Sequence, residues 1–515
     1  MKKMSKINYL DETRIKYIGK GVLVGACAGF IVSLFRLFIA TLSTWVTDAY
    51  LFFHEEPLWL IPWILLSSII AVFVGLLVKS EPDIKGSGIP QVEGQLRDEI
   101  HVPWFPALWK KFIGGVLSVG MGLFLGREGP SIQLGASVGQ GFAKKWQAEN
   151  SETKVLISSG ASAGLAAAFN APIAGLLFVV EEVHHNFSPL VWLTSFASAI
   201  TANFVSLTIF GLQPVLHLGA IESLPLRYYW LLILLGIFLG LLGRFYQLVL
   251  LSLSKWFHKL PLPEYLHGLI PFLLVIPIGW FFPDSLGGGN QIVIQLGQAS
   301  PTLLIMLGLF LLRFVFSMIS YGSSLPGGIF LPILTLGAVL GSLFGTAAVL
   351  WFHIDPIFVK NFIIVAMAGY FAAIGKAPLT AIVLVTEMVG SLVHLMPLGV
   401  VALVAYVVVD LLGGNPIYES LLERLVQTKP SDIQGKKLVL EWPITVESSL
   451  DGLMIRDFNW PANMLLISIR RGDHELLTHG DTIMKLGDTL RILTDDTNVA
   501  EVRQTIQQRS AKTLI

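Results

Sequence analysis

Three stretches of this chain, Pro57 to Val78, Val155 to Val180 and Phe187 to Ile221, contain no Asp, Glu, Lys or Arg, and a fourth, Gly21 to Thr47, contains only Arg36. Crossing the hydrocarbon of a bilayer takes roughly 20 apolar residues of helix, so each run is long enough to span and lipid is the solvent for this part of the molecule. Composition agrees, since 14% of the 515 residues are charged, against about 25% in soluble proteins. Backbone polar groups in lipid must be paired within their own segment, which predicts an all-α polytopic membrane body.

The first run follows Lys2, Lys3, Lys6, Arg14, Lys16 and Lys20. It is longer than a signal-peptide core and lacks a small-residue cleavage site, so it is expected to be retained. The basic flank places the N-terminus in the cytoplasm. A single cysteine, Cys27, excludes an intramolecular disulfide, and the sequence offers no Cys/His cluster for a metal. A formal net charge of zero argues against a nucleic-acid partner, and no phosphate loop or nucleophile motif suggests an enzyme. Composition changes abruptly at Gln427-Thr428-Lys429-Pro430-Ser431-Asp432. We therefore expect a membrane domain over 1–428 and a small soluble α+β module over 429–515.

The membrane part repeats itself. Gly126-Arg127-Glu128-Gly129-Pro130, with Leu134, Gly135 and Ala136, matches Gly328-Ile329-Phe330-Leu331-Pro332, with Leu336, Gly337 and Ala338. Ala171-Pro172-Ile173-Ala174 with Glu181 then matches Ala377-Pro378-Leu379-Thr380 with Glu387. The repeats run over about 20–221 and 226–426. Gly and Pro are dense at Gly86-Ser87-Gly88-Ile89-Pro90 and at the two repeated motifs, as in loops that open a helix, with Pro near its first turn. Such breaks must be buried in protein or line a cavity. Amides at helix N-termini can replace the hydration shell of a small anion without a full positive charge, which favours release as well as binding.

Taken in order, the Ser87, Glu128 and Ile329-Phe330 motifs resemble the three signature motifs of the CLC chloride channel and transporter family, over roughly residues 10 to 426. The resemblance implies an inverted-repeat fold of discontinuous, tilted helices, in a homodimer with one anion pathway per subunit, located in the cytoplasmic membrane. It implies that chloride is bound by the Ser87 hydroxyl, the amides of Ile329 and Phe330, and Tyr418 at the inner gate. Glu128 takes the place of the gating glutamate, whose carboxylate competes with the anion until a proton neutralises it. Glu182, the second acid of Glu181-Glu182, takes the place of the proton-transfer glutamate found in exchangers and usually lacking in channels. The expected activity is therefore chloride–proton antiport, with a passive gated chloride channel as the alternative. Glu93 and Lys111 fit buried positions of the family and are expected to pair, supporting the proton route or only the fold, with the structural role favoured. Ser87 itself points to chloride, because nitrate-preferring members carry proline there.

Beyond Lys437 the pattern turns strand-like, at Lys437–Glu441, Asn463–Ile469 and Thr489–Leu493, with a helix from Asn498 to Gln508. The set Arg470-Arg471-Gly472-Asp473, Gly480-Asp481-Thr482 and Gly487-Asp488-Thr489 resembles the C-terminal subdomain of RCK proteins, the TrkA-C domain. This resemblance implies a bacterial protein with a cytoplasmic, dimerising regulatory module. A small nucleotide at the dimer groove, with cyclic di-AMP as the candidate and Asp457 in the bordering segment, is the partner it suggests. No other cofactor is expected. A potassium-system component ranks last, since no Thr-Val-Gly-Tyr-Gly filter is present.

Overall fold

The computed structural model describes residues 4–184, 188–212, 215–216, 221–298, 301–428, 437–445, 448–461, 463–472, 474–495 and 498–510. They divide into two compact units, Met1–Glu93 with Val102–His185 and Leu190–Leu422, and Gly94–His101 with Asn186–Pro189 and Glu423–Ile515. The expected domain boundary at 428/429 adjoins 429–436, outside the described residues.

The membrane part runs through α1 (Met4–Glu55), α2 (Leu60–Ser80), α3 (Ile89–Leu96), α4 (Trp104–Gly120), α5 (Glu128–Lys145), α6 (Asn150–Phe169), α7 (Pro172–Phe178) and α8 (Pro189–Phe210). It continues through α9 (Tyr229–Phe257), α10 (Leu269–Phe281), α11 (Asn290–Gln298), α12 (Leu303–Gly322), α13 (Phe330–Phe352), α14 (Val359–Gly375), α15 (Pro378–Val389) and α16 (Leu395–Leu411), before α17 (Ile417–Thr428). The first eight helices correspond in order to the next eight. Among the described residues, eight helical stretches are long and apolar enough to cross a membrane. Their outer faces carry exposed Leu23, Leu65, Phe204, Leu241 and Leu304, a surface suited to lipid.

One uncharged run is not one helix. Val155 to Val180 breaks at Asn170, whose left-handed φ of 54° ends α6, and Pro172 opens α7. Asn tolerates that conformation and Pro cannot continue a helix. The second half repeats the break at Lys376, φ 58°, followed by Pro378. Residues from Lys154 to Phe169 are all buried, so α6 lies inside protein.

Small residues explain how α6 is covered. A Cβ on Gly135 would strike the Gly160 carbonyl oxygen, one on Gly160 would strike that of Gly135, and Gly139 and Gly164 meet the Leu156 and Ser131 carbonyls in the same way. The backbones of α5 and α6 thus touch directly, which is how helices associate where no hydrophobic driving force separates protein from solvent. In the second half Gly341 meets the Phe362 carbonyl, so α13 packs on α14 by the same device.

The C-terminal module has four antiparallel strands, β1 (Lys437–Pro443), β2 (Met464–Arg471), β3 (His474–Leu477) and β4 (Thr489–Asp495), in the order β1-β4-β2-β3, with α18 (Val499–Ser510). Strand β3 is absent from the sequence reading because it is short and only its Leu476-Leu477 end is apolar. Its core joins Leu440, Ile469, Leu490 and Ile492 to Val502 and Ile506 of α18. Two of the Gly-Asp steps are turns, with φ of 61° at Gly472 and 84° at Gly487; Asp473 lies outside the described residues. Asp488 does more than turn the chain: buried, it accepts both Nε and Nη2 of Arg471 at 2.7 Å. The Asp488 carboxylate raises the Arg471 guanidinium above its ordinary range. The Ser468 hydroxyl, then Arg491, hold Glu475 below the usual carboxylate range.

Gly160→Val should prevent the native contact of α5 with α6 and destabilise the protein by at least about 3 kcal/mol, the upper range for overpacking. The expected result is loss of the monodisperse peak on size-exclusion chromatography in detergent, whereas Gly308→Ala, where nothing lies within 4 Å, should be neutral.

Candidate functional site

The three glycine-rich breaks converge. Gly126 N–H donates to the Gly328 carbonyl at 2.6 Å and Gly328 N–H donates back to Gly126 at 2.7 Å, joining the equivalent glycines of the two halves. Gly327 N–H donates to the Gly86 carbonyl at 2.9 Å, bringing the Ser87 loop to the same point. A Cβ at Gly129 would lie 2.8 Å from the Ser87 Cβ and oxygen, so the start of α5 packs on Ser87 through a missing side chain. Pro90, Pro130 and Pro332 each sit in the first turn of their helix, where an N–H would have no intrahelical partner.

What these helix starts present is amide. The first intrahelical bond of α13 runs from Ile333 N–H to the Ile329 carbonyl, so the amides of Ile329 and Phe330 precede the ladder. Ser87 is 1% exposed, its Oγ accepts from Ile89 N–H at 3.3 Å, and both its hydroxyl and its amide are within hydrogen-bonding reach of the Tyr321 hydroxyl. The expected amides and hydroxyl thus lie on converging helix N-termini, all buried.

Glu128 opens α5 and is fully buried. Its carboxylate lies beside Gly126 and the Leu331 amide, against the first turn of α13. Arg127 Nε is 3.9 Å away, and neither carboxylate oxygen has a hydrogen bond of good geometry. The adjacent arginine therefore does not form the tight ion pair that would fix the side chain. A buried carboxylate held so loosely is costly, and it is ready to move or take a proton.

Tyr418 stands in the first turn of α17, fully buried, edge-on to Phe178 at 6.1 Å. Phe178 and Phe169 pack on the Phe330 ring, with Phe371 at 4.3 Å. The Tyr418 hydroxyl has no hydrogen-bond partner, and neither do those of Tyr246 and Tyr370, whose rings are 6.0 Å apart. Such hydroxyls normally find partners when buried, so these three are free donors. A side chain at Gly86, φ 57°, would meet the Tyr321 hydroxyl at 3.2 Å. Tyr246, Tyr321 and Tyr370 went unnoticed because tyrosines in apolar helices carry no local signature.

Glu181 and Glu182 lie in a single π-helical turn, Val179–Val183, that extends α7. The wider turn gives successive side chains different directions, and such turns recur at functional sites. Glu182 is 3% exposed. Glu181 Oε2 accepts from Thr380 N–H at 2.7 Å and from Thr380 Oγ1 at 2.6 Å, and Oε1 accepts from Leu379 N–H at 3.2 Å. Glu387 returns the contact, accepting from Ala174 N–H at 2.7 Å and Ile173 N–H at 3.1 Å. Each half thus caps the broken helix of the other with a carboxylate. The sequence shows both motifs and both acids, but not that they cross.

A third repeated pair was also overlooked. Pro82-Asp83-Ile84-Lys85-Gly86-Ser87-Gly88 and Pro283-Asp284-Ser285-Leu286-Gly287-Gly288-Gly289 share Pro-Asp-X-X-Gly-X-Gly. Both begin with a turn of 3-10 helix, and both have left-handed glycines: φ 57° and 88° at Gly86 and Gly88, 71° and 101° at Gly287 and Gly289. No group of three or more His, Cys, Asp or Glu able to hold a metal occurs among the described residues.

Comparison with known proteins covers both parts of the chain. The model of the family "Voltage gated chloride channel" matches residues 70–410, and that of the TrkA-C domain matches 439–507. A H(+)/Cl(-) exchange transporter ClcA of Vibrio parahaemolyticus is 35% identical over 424 residues, covering 79% of this chain and 89% of that protein. The ClcA of Salmonella arizonae is 31% identical over 436 residues, 83% of this chain and 92% of that one. Among solved structures, a slow cyanobacterial Cl-/H+ antiporter has a TM-score of 0.76 at 31% identity, covering 80% of this chain and 98% of its own. A CLC-type fluoride/proton antiporter, TM-score 0.63 at 21% identity over 76% of this chain and 95% of its own, shares the fold.

Glu387→Gln keeps the shape of the clasp but removes its charge and turns one acceptor into a donor facing an amide. Stability should fall by about 0.5–1.5 kcal/mol, the net contribution of a hydrogen bond at a partly exposed site, read as a lower melting temperature in detergent.

Proposed function

The chain belongs to the voltage gated chloride channel family, and from that membership we propose that it exchanges chloride for protons across a membrane. The observation that carries this reading is the similarity to named H(+)/Cl(-) exchange transporters over about four fifths of the chain. A buried acid at each of the two positions an exchanger needs, Glu128 and Glu182, supports it over passive conduction. It is a multi-pass membrane protein with a C-terminal TrkA-C domain. Our reading places it in the bacterial cytoplasmic membrane as a homodimer, with its N-terminus and a module of 429–515 in the cytoplasm.

In this mechanism a chloride ion sheds its water onto donors that carry only partial charges: the Ser87 hydroxyl, the Ile329 and Phe330 amides and the Tyr418 hydroxyl. Partial charges at three helix N-termini hold the ion firmly enough to select it and loosely enough to let it go. Glu128 lies beside the amides at the start of α13, so its carboxylate competes for the donors an anion uses. Taking a proton removes the charge and frees those donors. Chloride occupancy and protonation of Glu128 are thereby linked, and Glu182 passes the proton on the cytoplasmic side by a path apart from the anion. Phe330 and its aromatic neighbours exclude water from the ion's path, so protons must travel by way of carboxylates.

For the C-terminal module we propose regulation by a small nucleotide, with cyclic di-AMP as the candidate, supported by the TrkA-C match. Calorimetric titration of the detergent-solubilised chain with cyclic di-AMP should give saturable heat; a flat trace would remove this part of the proposal.

Reconstituted in liposomes and followed with chloride and pH electrodes, Glu128→Gln should keep chloride flux while proton flux falls to background, because the amide resembles the neutral acid permanently. Glu182→Gln should cut proton flux at least about tenfold, a loss equivalent to roughly 1.4 kcal/mol or more in the barrier. If an imposed proton gradient fails to drive chloride uphill in the unmutated protein, the channel reading replaces exchange.

A further inference from the structure

The loop that presents Ser87 has all of its preceding carbonyls turned away and held. Gln133 Nε2 of α5 donates to the Asp83 carbonyl at 2.7 Å, and Gln91 Nε2 of α3 donates to that of Lys85 at 3.0 Å. Lys111 of α4 holds the other two: its Nζ donates to the Ile84 carbonyl at 2.9 Å and to the Gly86 carbonyl at 2.8 Å, an oxygen it shares with Gly327 N–H at 2.9 Å. Lys111 is 0% exposed. Taking an ammonium wholly out of water is expensive, and here its hydrogen bonds are spent on backbone oxygens beside Ser87.

Peptide geometry converts that expenditure into a consequence at the anion site. The unit joining Gly86 to Ser87 is planar and trans, so its C=O and N–H point in opposite directions. Holding the Gly86 oxygen toward Lys111 turns the Ser87 N–H the other way, to the side where the Tyr321 hydroxyl lies, and the cation polarises the same peptide, strengthening that N–H as a donor. Four consecutive carbonyl oxygens that would repel an anion are withdrawn at once.

The second half contains the comparison that separates this role from mere support. Arg313 of α12, 1% exposed, donates to the carbonyls of Ser285 and Gly287 at 2.9 Å each and Gly288 at 2.6 Å, bracing the equivalent loop. That loop has Gly288 where the first has Ser87. The same device is built twice, and in one copy only does it orient a side chain that can bind an anion.

We propose that Lys111 is a positioning residue of the chloride site, acting through the Ile84 and Gly86 carbonyls on the orientation and donor strength of Ser87. This rests on Ser87 being a chloride ligand, so the experiment carries that reading as a separate arm. Chloride affinity is measured by isothermal titration on the purified full chain. Ser87→Ala should weaken it; an unchanged affinity would overturn the underlying site assignment, not the role of Lys111 alone. With Ser87→Ala weakened, Lys111→Met should raise the chloride dissociation constant about tenfold, a step of roughly 1.4 kcal/mol, and Lys111→Arg should restore most of it. Arg313→Lys should lower the melting temperature and leave chloride affinity within about twofold, a change of less than roughly half a kcal/mol. Unchanged affinity in Lys111→Met, or an equal loss in Arg313→Lys, sinks the proposal.

Should Lys111→Met fail to fold, the unmutated protein gives the answer. With glycine labelled at the 13C carbonyl and serine with 15N, the Gly86–Ser87 cross-peak, identified by its absence in Ser87→Ala, should shift when gluconate is replaced by chloride. A cross-peak that stays in place would overturn the proposal.

Discussion

Two hydrogen bonds, Gly126 to Gly328 and back, hold the membrane body at its centre. They join equivalent residues of the two halves, so they mark where the halves meet about a common axis. Only residues without a side chain let the two backbones approach there, since a Cβ on Gly126 would run into the Glu128 carboxylate and the Leu331 amide. Once the strands are paired, α5 and α13 must both begin beside this point, and the Ser87 loop joins them through Gly327. The meeting of unpaired amides follows from that one contact. No lipid-facing arrangement could tolerate so many interrupted helices.

The scaffold is duplicated but the chemistry is not. The carbonyl-capping cations Lys111 and Arg313, the crossed carboxylates Glu181 and Glu387, and the left-handed glycines all occur twice. Ser87 faces Gly288 in the repeat, Glu128 faces Phe330, and Glu182 faces Met388. Structural polar groups are thus kept in both halves, where each satisfies a broken helix. Of the groups assigned to ion and proton handling, the side chains of Ser87, Glu128 and Glu182 lie in the first half, where their partner positions are Gly288, Phe330 and Met388, while the Ile329 and Phe330 amides and Tyr418 come from the second. Symmetry supplies the meeting point of the helix starts, and its local failure supplies the chemistry.

Much of this could be read from sequence because the decisive signals are short and local. Uncharged runs announce helices in lipid, and glycine-proline clusters announce their interruptions, so the membrane class and the three breaks were legible. The split of Val155 to Val180 was less so: nothing but Asn170 before Ala171-Pro172 reveals it, and hydropathy passes over it without a dip. The π-helical turn holding Glu182 has no compositional mark. The clasps are long-range, since Glu387 and Ala174 are 213 residues apart, and a pattern search sees each motif but not its exchange of partners. Lys111, read as a member of a buried pair or a support for the fold, spends its hydrogen bonds on main-chain oxygens, which no side-chain pairing rule anticipates.

The crossed carboxylates also bear on how the chain is made. The amides of Ile173 and Ala174 open α7 early in synthesis, and the acid that answers them lies 214 and 213 residues further on. Until the ribosome has delivered Glu387, the first half holds a helix start without the carboxylate that caps it. The Glu181 carboxylate is equally without its amides until Leu379 and Thr380 emerge. The first half is therefore an unfinished structure waiting in the membrane, and a chain truncated between the two motifs should be recognised by quality control as a fragment, however completely its helices have inserted.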